Sequence, residues 1–498
     1  MESKAPDCII SRPMRRQAQA FGLALTLVVI SAVVHAQDCV KPSEDVVTGV
    51  ILRKAPSTAS DRLGSLRPGN RLEVTSAVAG WTQVKTDDGQ AAYVSKRWTD
   101  VVPCGGMELA AAPSTSGPFP LIAAGRTVDW WFVFKQNAVA FPGCGSTVER
   151  RCPFGGTVPT YKAGMQFAFA SSAVKTLAQG RDCIGTTLED PVGATFDEIY
   201  HGSFNYVVWN DQFHGDPSLP FPKCSEDCDS PWGHSKGMVA WNDAGDGVVM
   251  QVTTPSWPGA GNDHHPRPHD GNTLGCELGN NVKFSQHFFA LHLTRDDLLK
   301  VILALVNASV ATDPANPQLV KNGGPSDIQA VVQQLGRRSS SVTATVDTLS
   351  SGVRMISKPS KLNVPPWQMV SALLGGVPLR TATWWASPYI PSTLASDAIL
   401  CWSSALPPPG DVEIATTGSW GGTTIGLKGL APNGNHAKIG VTTDATSNLS
   451  IFGDLNQQGA LSESCSRSQN GRGGLFFVVH DAELSKSVAA LIEGASDR

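Results

Sequence analysis

Two short segments, 202 residues apart, constrain this chain more than any other feature. Gly233-His234-Ser235-Lys236-Gly237-Met238-Val239 and Asn435-His436-Ala437-Lys438-Ile439-Gly440-Val441 both read His-x-Lys followed by a small apolar run. Each has a downstream echo. Phe284-Ser285-Gln286-His287-Phe288-Phe289-Ala290 follows the first; Ser468-Gln469 and then Arg472-Gly473-Gly474-Leu475-Phe476-Phe477-Val478 follow the second. A Ser-Gln and a Phe-Phe strand are therefore expected in each half, as a degenerate repeat with a period too long for a solenoid. Alternation along a strand puts the His and Lys of each motif on one face. Two such halves are expected to pair about a pseudo-twofold axis, so that equivalent residues meet there.

Two histidines and two lysines in one cleft constrain the chemistry. Lysine supplies positive charge and hydrogen bonds to phosphate oxygens. A neutral imidazole can attack phosphorus, and an imidazolium can protonate the leaving oxygen. The lysines can stabilise the transition-state charge, so the scheme calls for no metal or other cofactor. It needs one histidine charged and one neutral. Neighbouring lysines depress a histidine pKa, so these requirements favour acid conditions.

Export is expected from the N-terminus. Arg15 and Arg16 precede an apolar run over 21–34, which ends in Val34-His35-Ala36 before Gln37. The run is too short to span a bilayer comfortably, and residues 1–36 read as a secretory signal peptide. No later stretch is long and apolar enough to cross a membrane, so a secreted or periplasmic product is expected. Its removal leaves 35 basic and 41 acidic residues, a net charge of −6, with ten Cys and ten His. An even cysteine count in an exported chain suggests disulfides. Cys39 and Cys104 flank one compact unit and are placed to tie its ends. Full histidine protonation would carry the charge to +4, so a polyanion would bind better in acid.

The chain divides into regions. Residues 37–104 alternate short strands with turns, as in Arg71-Leu72-Glu73-Val74 and Gly80-Trp81-Thr82-Gln83-Val84, and suggest a small β-barrel of about five strands. This stretch resembles the bacterial Src-homology-3-like domain, on Leu63-Gly64, Pro68-Gly69, Gly80-Trp81, Asp88-Gly89 and Tyr93-Val94. The resemblance implies a peptide or cell-wall ligand. The common Asn-Val-Arg start is replaced by Ile51-Leu52-Arg53. A linker of small residues, 105–118, leads into one large α/β region, 119–498. Buried strands are expected at 128–134, 204–209, 247–250 and 475–479, and helices at 294–310, 326–337, 366–374 and 482–492. Thr294 with Asp297, and Ser326 with Gln329, read as capping boxes.

The chain from about Ile122 to Ile492 resembles deoxyribonuclease II, the acid endonuclease family related to the phospholipase D fold. The resemblance runs through Val128-Asp129-Trp130-Trp131, Trp209-Asn210-Asp211-Gln212, Gly233-His234-Ser235-Lys236-Gly237, Thr254-Pro255-Ser256-Trp257-Pro258 and Phe284-Ser285-Gln286. It continues through His436-Ala437-Lys438, Gly453-Asp454-Leu455-Asn456, Ser468-Gln469 and Arg472-Gly473-Gly474. It implies a pseudo-twofold pair of phospholipase D-like halves, mixed sheets flanked by helices. It also implies metal-independent cleavage of DNA to 3′-phosphate and 5′-hydroxyl ends. His234, Lys236, His436 and Lys438 are the implied catalytic residues, either histidine serving as nucleophile. Asn456 is implied as a phosphate-binding or histidine-orienting group, and Gln286 and Gln469 as substrate contacts. The wider phospholipase D pattern has an acidic residue five after each Lys. Here Trp241 and Thr443 stand there, with Asp243 and Asp444 nearby.

Other features compete. A lone histidine is more often structural, and Lys236 or Lys438 alone would be a solvated charge. Asp263-His264-His265-Pro266-Arg267-Pro268-His269-Asp270 could suggest a metal site, but its prolines favour an exposed loop. Cys224 and Cys228, separated by a three-residue spacer, favour disulfides over zinc. Asn307-Ala308-Ser309 matches a glycosylation acceptor inside an apolar helical pattern. The rival functions are a phosphodiesterase acting on another phosphoester, and a non-catalytic cell-wall or peptide-binding protein.

Overall fold

The structure is a computed structural model, and it describes residues 38–43, 46, 49–66, 70–86, 89–103, 117–143, 166–181, 183–185, 187–213, 228–255, 257, 284–430 and 434–498. The expected signal peptide, Cys104, residues 105–116 of the linker, Pro68-Gly69, Cys224 and the 263–270 loop lie outside them. The chain forms two compact units, Met1–Pro113 and Ser114–Arg498.

The first unit is all sheet: β1 (Asp38–Pro42), β2 (Val50–Arg53), β3 (Arg62–Leu66), β4 (Leu72–Val78), β5 (Trp81–Lys85), β6 (Ala91–Ser95) and β7 (Thr99–Pro103). Their order is β3-β2-β6-β5-β4-β1-β7. Alternate residues, Val40, Leu52, Leu72, Val84, Ala92 and Val94 among them, point inward to one small core. The expected closed barrel is not found among the described residues. Strand β1 pairs with β4, and β7 pairs with the far edge of β1 over its whole length, Asp38 opposite Pro103 through Pro42 opposite Thr99. These two strands extend the row beyond β4, leaving β3 and β7 as its two ends.

The second unit is mixed α/β and mostly sheet. It opens with a hairpin, β8 (Leu121–Ala123) and β9 (Arg126–Thr127). The first large sheet contains β10 (Trp130–Lys135), β11 (Phe167–Ser171), β12 (Ala178–Gln179), β13 (Asn205–Asn210), β14 (Lys236–Trp241), β15 (Gly247–Val252), β16 (Gln286–Leu293) and β17 (Val320–Lys321). The second contains β18 (Thr345–Thr348), β19 (Arg354–Lys358), β20 (Leu379–Ala382), β21 (Val412–Ile414), β24 (Ile439–Thr442), β25 (Leu449–Gly453) and β26 (Gly474–His480); β22 (Thr417–Trp420) and β23 (Thr423–Gly426) form a separate hairpin. The helices are α1 (Pro191–His201), α2 (Arg295–Ala308), α3 (Ser326–Val332), α4 (Pro366–Leu373) and α5 (Ala482–Leu491).

The sheets share the wiring of their five central strands, β10-β16-β15-β14-β13 and β19-β26-β25-β24-β20. They do not share that of the strands that flank them: β11 follows β10 while β18 precedes β19, and β17 runs antiparallel to β13 while β21 runs parallel to β20. The first reads β11-β10-β16-β15-β14-β13-β17 after its edge strand β12; the second reads β18-β19-β26-β25-β24-β20-β21. Helix α1 precedes β13 as α4 precedes β20, and α2 follows β16 as α5 follows β26. Their inner faces meet in one core, where Phe132 and Phe289 stack on Phe452 with centroids 4.2 and 5.0 Å apart. A second core lies between the far face of the second sheet and α4, around Trp367. Burying this much apolar surface is the main term favouring the paired arrangement.

Two local expectations need correction. Helix α2 is capped as expected by the reciprocal Thr294–Asp297 box. Helix α3 is not. Its N-cap is Pro325, with no side-chain cap, and the helix stops at Val332 rather than 337. Gln329 instead donates from Nε2 to the Gly324 carbonyl at 2.6 Å. The two Ser-Gln pairs are also not equivalent. Val252 opposes Phe288 and Gly453 opposes Phe476, so Phe288-Phe289 matches Phe476-Phe477 and Gln286 matches Gly474. Ser468-Gln469 lies in a 3-10 turn, Ser468–Gly471, ahead of β26.

Candidate active site

The two His-x-Lys motifs enter their strands at equivalent points. Lys236 is the first residue of β14, and Lys438 immediately precedes β24. Each histidine lies just outside its strand and is pinned by the opposite half. The His436 N–H donates to the Ser285 carbonyl at 2.7 Å; the His234 N–H donates to the Gly473 carbonyl at 2.9 Å. Ser285 and Gly473 stand at matched positions, each immediately before its strand. The crossing requires glycine at 473: a Cβ there would fall 2.0 Å from the Ala308 carbonyl oxygen.

The environments of the two histidines differ. His234 Nδ1 lies 2.8 Å from the Asp454 carbonyl oxygen. A carbonyl only accepts, so the neutral ring carries its proton on Nδ1 and its lone pair on Nε2. His436 is gripped by apolar rings. It stacks on Phe284 with centroids 4.9 Å apart, and Trp384 meets it edge to face at 4.2 Å. Burial lowers both histidines well below the usual imidazole range. Lys236, and then Arg472 and Lys438, add to the lowering of His234 against the pull of Asp211. Lys438, Lys236 and Lys135 add to that of His436. Each histidine thus feels the lysine of the other motif.

A buried charge cluster supports the first motif. Lys236 Nζ donates to Asp211 Oδ1 at 2.6 Å, and Arg472 donates to Asp211 Oδ2 at 2.8 Å. Arg472 also donates to the carbonyls of Trp232, Cys228 and Gly233. Burial would raise the Asp211 carboxyl, but Lys236 and Arg472 hold it well below the usual carboxylate range. Lys438 has no such partner among the described residues. Burial and then Lys236 lower its ammonium, although Asp211 and Asp454 oppose. Its backbone N–H donates to His287 Nδ1 at 3.1 Å. Burial pushes Asp454 up to about 7. Its Oδ1 accepts from Gln251 and its Oδ2 from the Leu475 N–H.

The other expected residues divide. Asn456 and Gln469 come together: Gln469 Oε1 accepts the Asn456 N–H at 3.4 Å, and Asn456 Nδ2 donates to Gln458 Oε1 at 2.8 Å. Gln286 is in the first sheet, where its Oε1 accepts from Thr253. Asp243 and Asp444 sit beyond the far ends of β14 and β24, bonded to Asn205 and to the 446–447 turn. Neither orients a histidine. Among the described residues no group of acidic, His or Cys side chains is arranged to hold a metal. Cys401 and Cys465 form a disulfide, and Cys39, Cys183 and Cys228 are disulfide-bonded too.

The profile of the Deoxyribonuclease II family matches residues 121–497. The chain belongs to the deoxyribonuclease II family. A bacterial SH3 domain profile matches residues 48–100, ahead of the deoxyribonuclease II domain. A search of curated proteins finds no match.

Two lysines that the sequence did not single out brace this deoxyribonuclease II domain symmetrically. Lys135 ends β10 opposite Gln286, and Lys358 ends β19 opposite Gly474. Lys135 Nζ donates to the Phe284 carbonyl at 2.7 Å, behind the ring that stacks on His436. Lys358 Nζ donates to the Asn470 and Arg472 carbonyls at 2.7 and 2.9 Å, behind the guanidinium that holds Asp211. Burial lowers both ammonium groups to about 7. A lysine with a lowered folded-state pKa takes up its proton less readily folded than unfolded. Stability therefore rises with pH between about 7 and the ordinary lysine value. Lys358→Met is expected to lose the share of that rise that Lys358 supplies, while Lys135 keeps its own. Urea midpoints at pH 7 and 9 should separate further in the native protein than in the variant.

Proposed function

We propose that this protein is an exported endonuclease that hydrolyses DNA phosphodiesters in acid, without a metal ion, to 3′-phosphate and 5′-hydroxyl ends. The observation that supports it is that each His-x-Lys histidine is pinned by the backbone of the opposite half and feels the other motif's lysine, within a deoxyribonuclease II domain. The Nδ1 contact of His234 favours it as nucleophile, because it leaves the Nε2 lone pair for phosphorus. His436 is then the acid. A P–Nε2 bond forms as the P–O5′ bond breaks, and the His436 proton passes to O5′. His436, now neutral, takes a proton from water. That water attacks phosphorus, breaks the P–N bond and leaves a 3′-phosphate. Lys438, uncompensated, suits a non-bridging phosphate oxygen, and Asn456 a second.

The acid preference follows from the lowered histidines. The general acid must be protonated before leaving-group departure, and burial with nearby lysines opposes its protonation. The anionic phosphodiester offsets part of that opposition on binding. In this reading the two halves are phospholipase D-like, and the N-terminal SH3-like unit carries a cell-wall or peptide ligand. Its half-exposed Trp98, with the Arg97 guanidinium 4.8 Å over the ring, suits such a contact.

Plasmid cleavage at acidic and neutral pH in excess EDTA tests the proposal. Nicking and linearisation in acid, undiminished by EDTA and weaker at neutral pH, are expected. Cleavage abolished by EDTA would move the chemistry to a metal. No cleavage by folded protein would redirect the search to other phosphodiesters.

A further inference from the structure

Trp384 and Trp385 follow β20 on consecutive residues. Trp384 packs on His436. Trp385 meets Tyr389 with centroids 4.8 Å apart at 60°, and its Nε1 donates to the Ile390 carbonyl at 2.9 Å. Trp385 is half-buried, whereas Tyr389 is 55% exposed. The segment is held firmly. The Gly429 N–H donates to the Trp385 carbonyl, the Ile390 N–H to the Gln457 carbonyl, and Tyr389 bridges Gln458. Gln458 in turn takes the Asn456 amide and donates to the Ala386 carbonyl. Asn456 Oδ1 is buried without a partner. The exposed ring is therefore tied to the His436 side through the Trp384–Trp385 peptide and to Asn456 through one side-chain bond. Lys428 is exposed, and its backbone is tied to the same segment: its carbonyl accepts the N–H of Asn435, the residue before His436.

We propose that Tyr389, backed by Trp385, is a stacking subsite for an unpaired base of the DNA strand being cut, with Lys428 on an adjacent phosphate. The proposal rests on the nuclease reading above. An aromatic face for the base and a cation for the backbone are the two contacts by which single strands are held without sequence preference. Base pairs inside a duplex offer no such face. The subsite therefore favours single-stranded or locally opened DNA, and its occupant is the nucleotide beside the scissile phosphate rather than the phosphate itself.

The test uses the full protein, Tyr389→Ala and Tyr389→Phe, on a single-stranded oligonucleotide and on the same strand carrying abasic sites. Tyr389→Ala is expected to raise KM about tenfold on the normal strand with kcat nearly unchanged. Tyr389→Phe should behave as wild type, since stacking needs the ring and not the hydroxyl. The abasic strand should be cut with one KM by all three proteins. Wild-type kinetics from Tyr389→Ala on the normal strand would overturn the subsite while leaving the nuclease intact. So would an equal loss on both strands. Unchanged kinetics with a shift from dimer to monomer would assign the ledge to a second copy of the chain. If the wild type cuts neither strand, the nuclease reading fails first and takes the subsite with it.

Discussion

Replacing His436 by alanine is expected to slow plasmid cleavage by roughly 10⁴-fold or more, with the fold retained. The imidazole is the proposed proton donor, and neither Phe284 nor Trp384, its ring neighbours, can supply a proton. The same loss is expected for His234→Ala, but for a different reason, and the leaving group separates the two. A p-nitrophenyl phosphodiester departs without needing a proton. On it His436→Ala should recover most of its activity in the first step, seen as a burst of nitrophenolate. His234→Ala should show no burst, because no nucleophile remains. The reverse pattern would exchange the two roles. A burst from both variants would mean that neither histidine attacks phosphorus.

Asp211→Ala is expected to be the most destabilising single change at the centre. Asp211 is the shared carboxylate of Lys236 and Arg472, and all three are buried. Its removal leaves two cations in a low-dielectric site without their counter-charge. Breaking a buried pair in this way costs about 3–5 kcal/mol. Urea unfolding followed by tryptophan fluorescence measures it. A loss below about 1 kcal/mol would show that water reaches the cations once the carboxylate is gone. Arg472→Met should cost less. It leaves Asp211 paired with Lys236, although the carbonyls of Trp232, Cys228 and Gly233 lose their donor.

What the sequence displayed was whatever is local. The Phe-Phe strands and the Thr294–Asp297 cap each need only a few neighbouring residues, and each stands where the pattern put it, whereas the His-x-Lys motifs fall at the strand starts with both histidines just outside. The α3 cap looked equally local and failed, because Pro325 holds the N-cap position and Gln329 bonds back to Gly324. The supporting charges were hidden for a different reason. Asp211 and Arg472 are 261 residues apart, and Lys135 finds its carbonyl 149 residues away. Nothing in the surroundings of a single lysine in a hydrophobic strand says which distant backbone it will brace. The matched roles of Ser285 and Gly473 were hidden too, since the contact uses backbone atoms that any residue carries. What Arg472-Gly473-Gly474 did offer was its glycine, which the close approach to Ala308 explains. Trp384 was silent because it occupies, in the second half, the place that Asp211 takes in the first, a ring for a carboxylate.

The reciprocal pinning of His234 by Gly473 and of His436 by Ser285 makes the reaction centre a property of the seam rather than of either sheet. Each sheet can keep its ladders and its own share of the core while the two backbone contacts across the seam open. Such an opening would separate the histidines before it exposed much apolar surface. Inactivation on warming or in mild denaturant should therefore run ahead of unfolding, and return as readily once the seam closes.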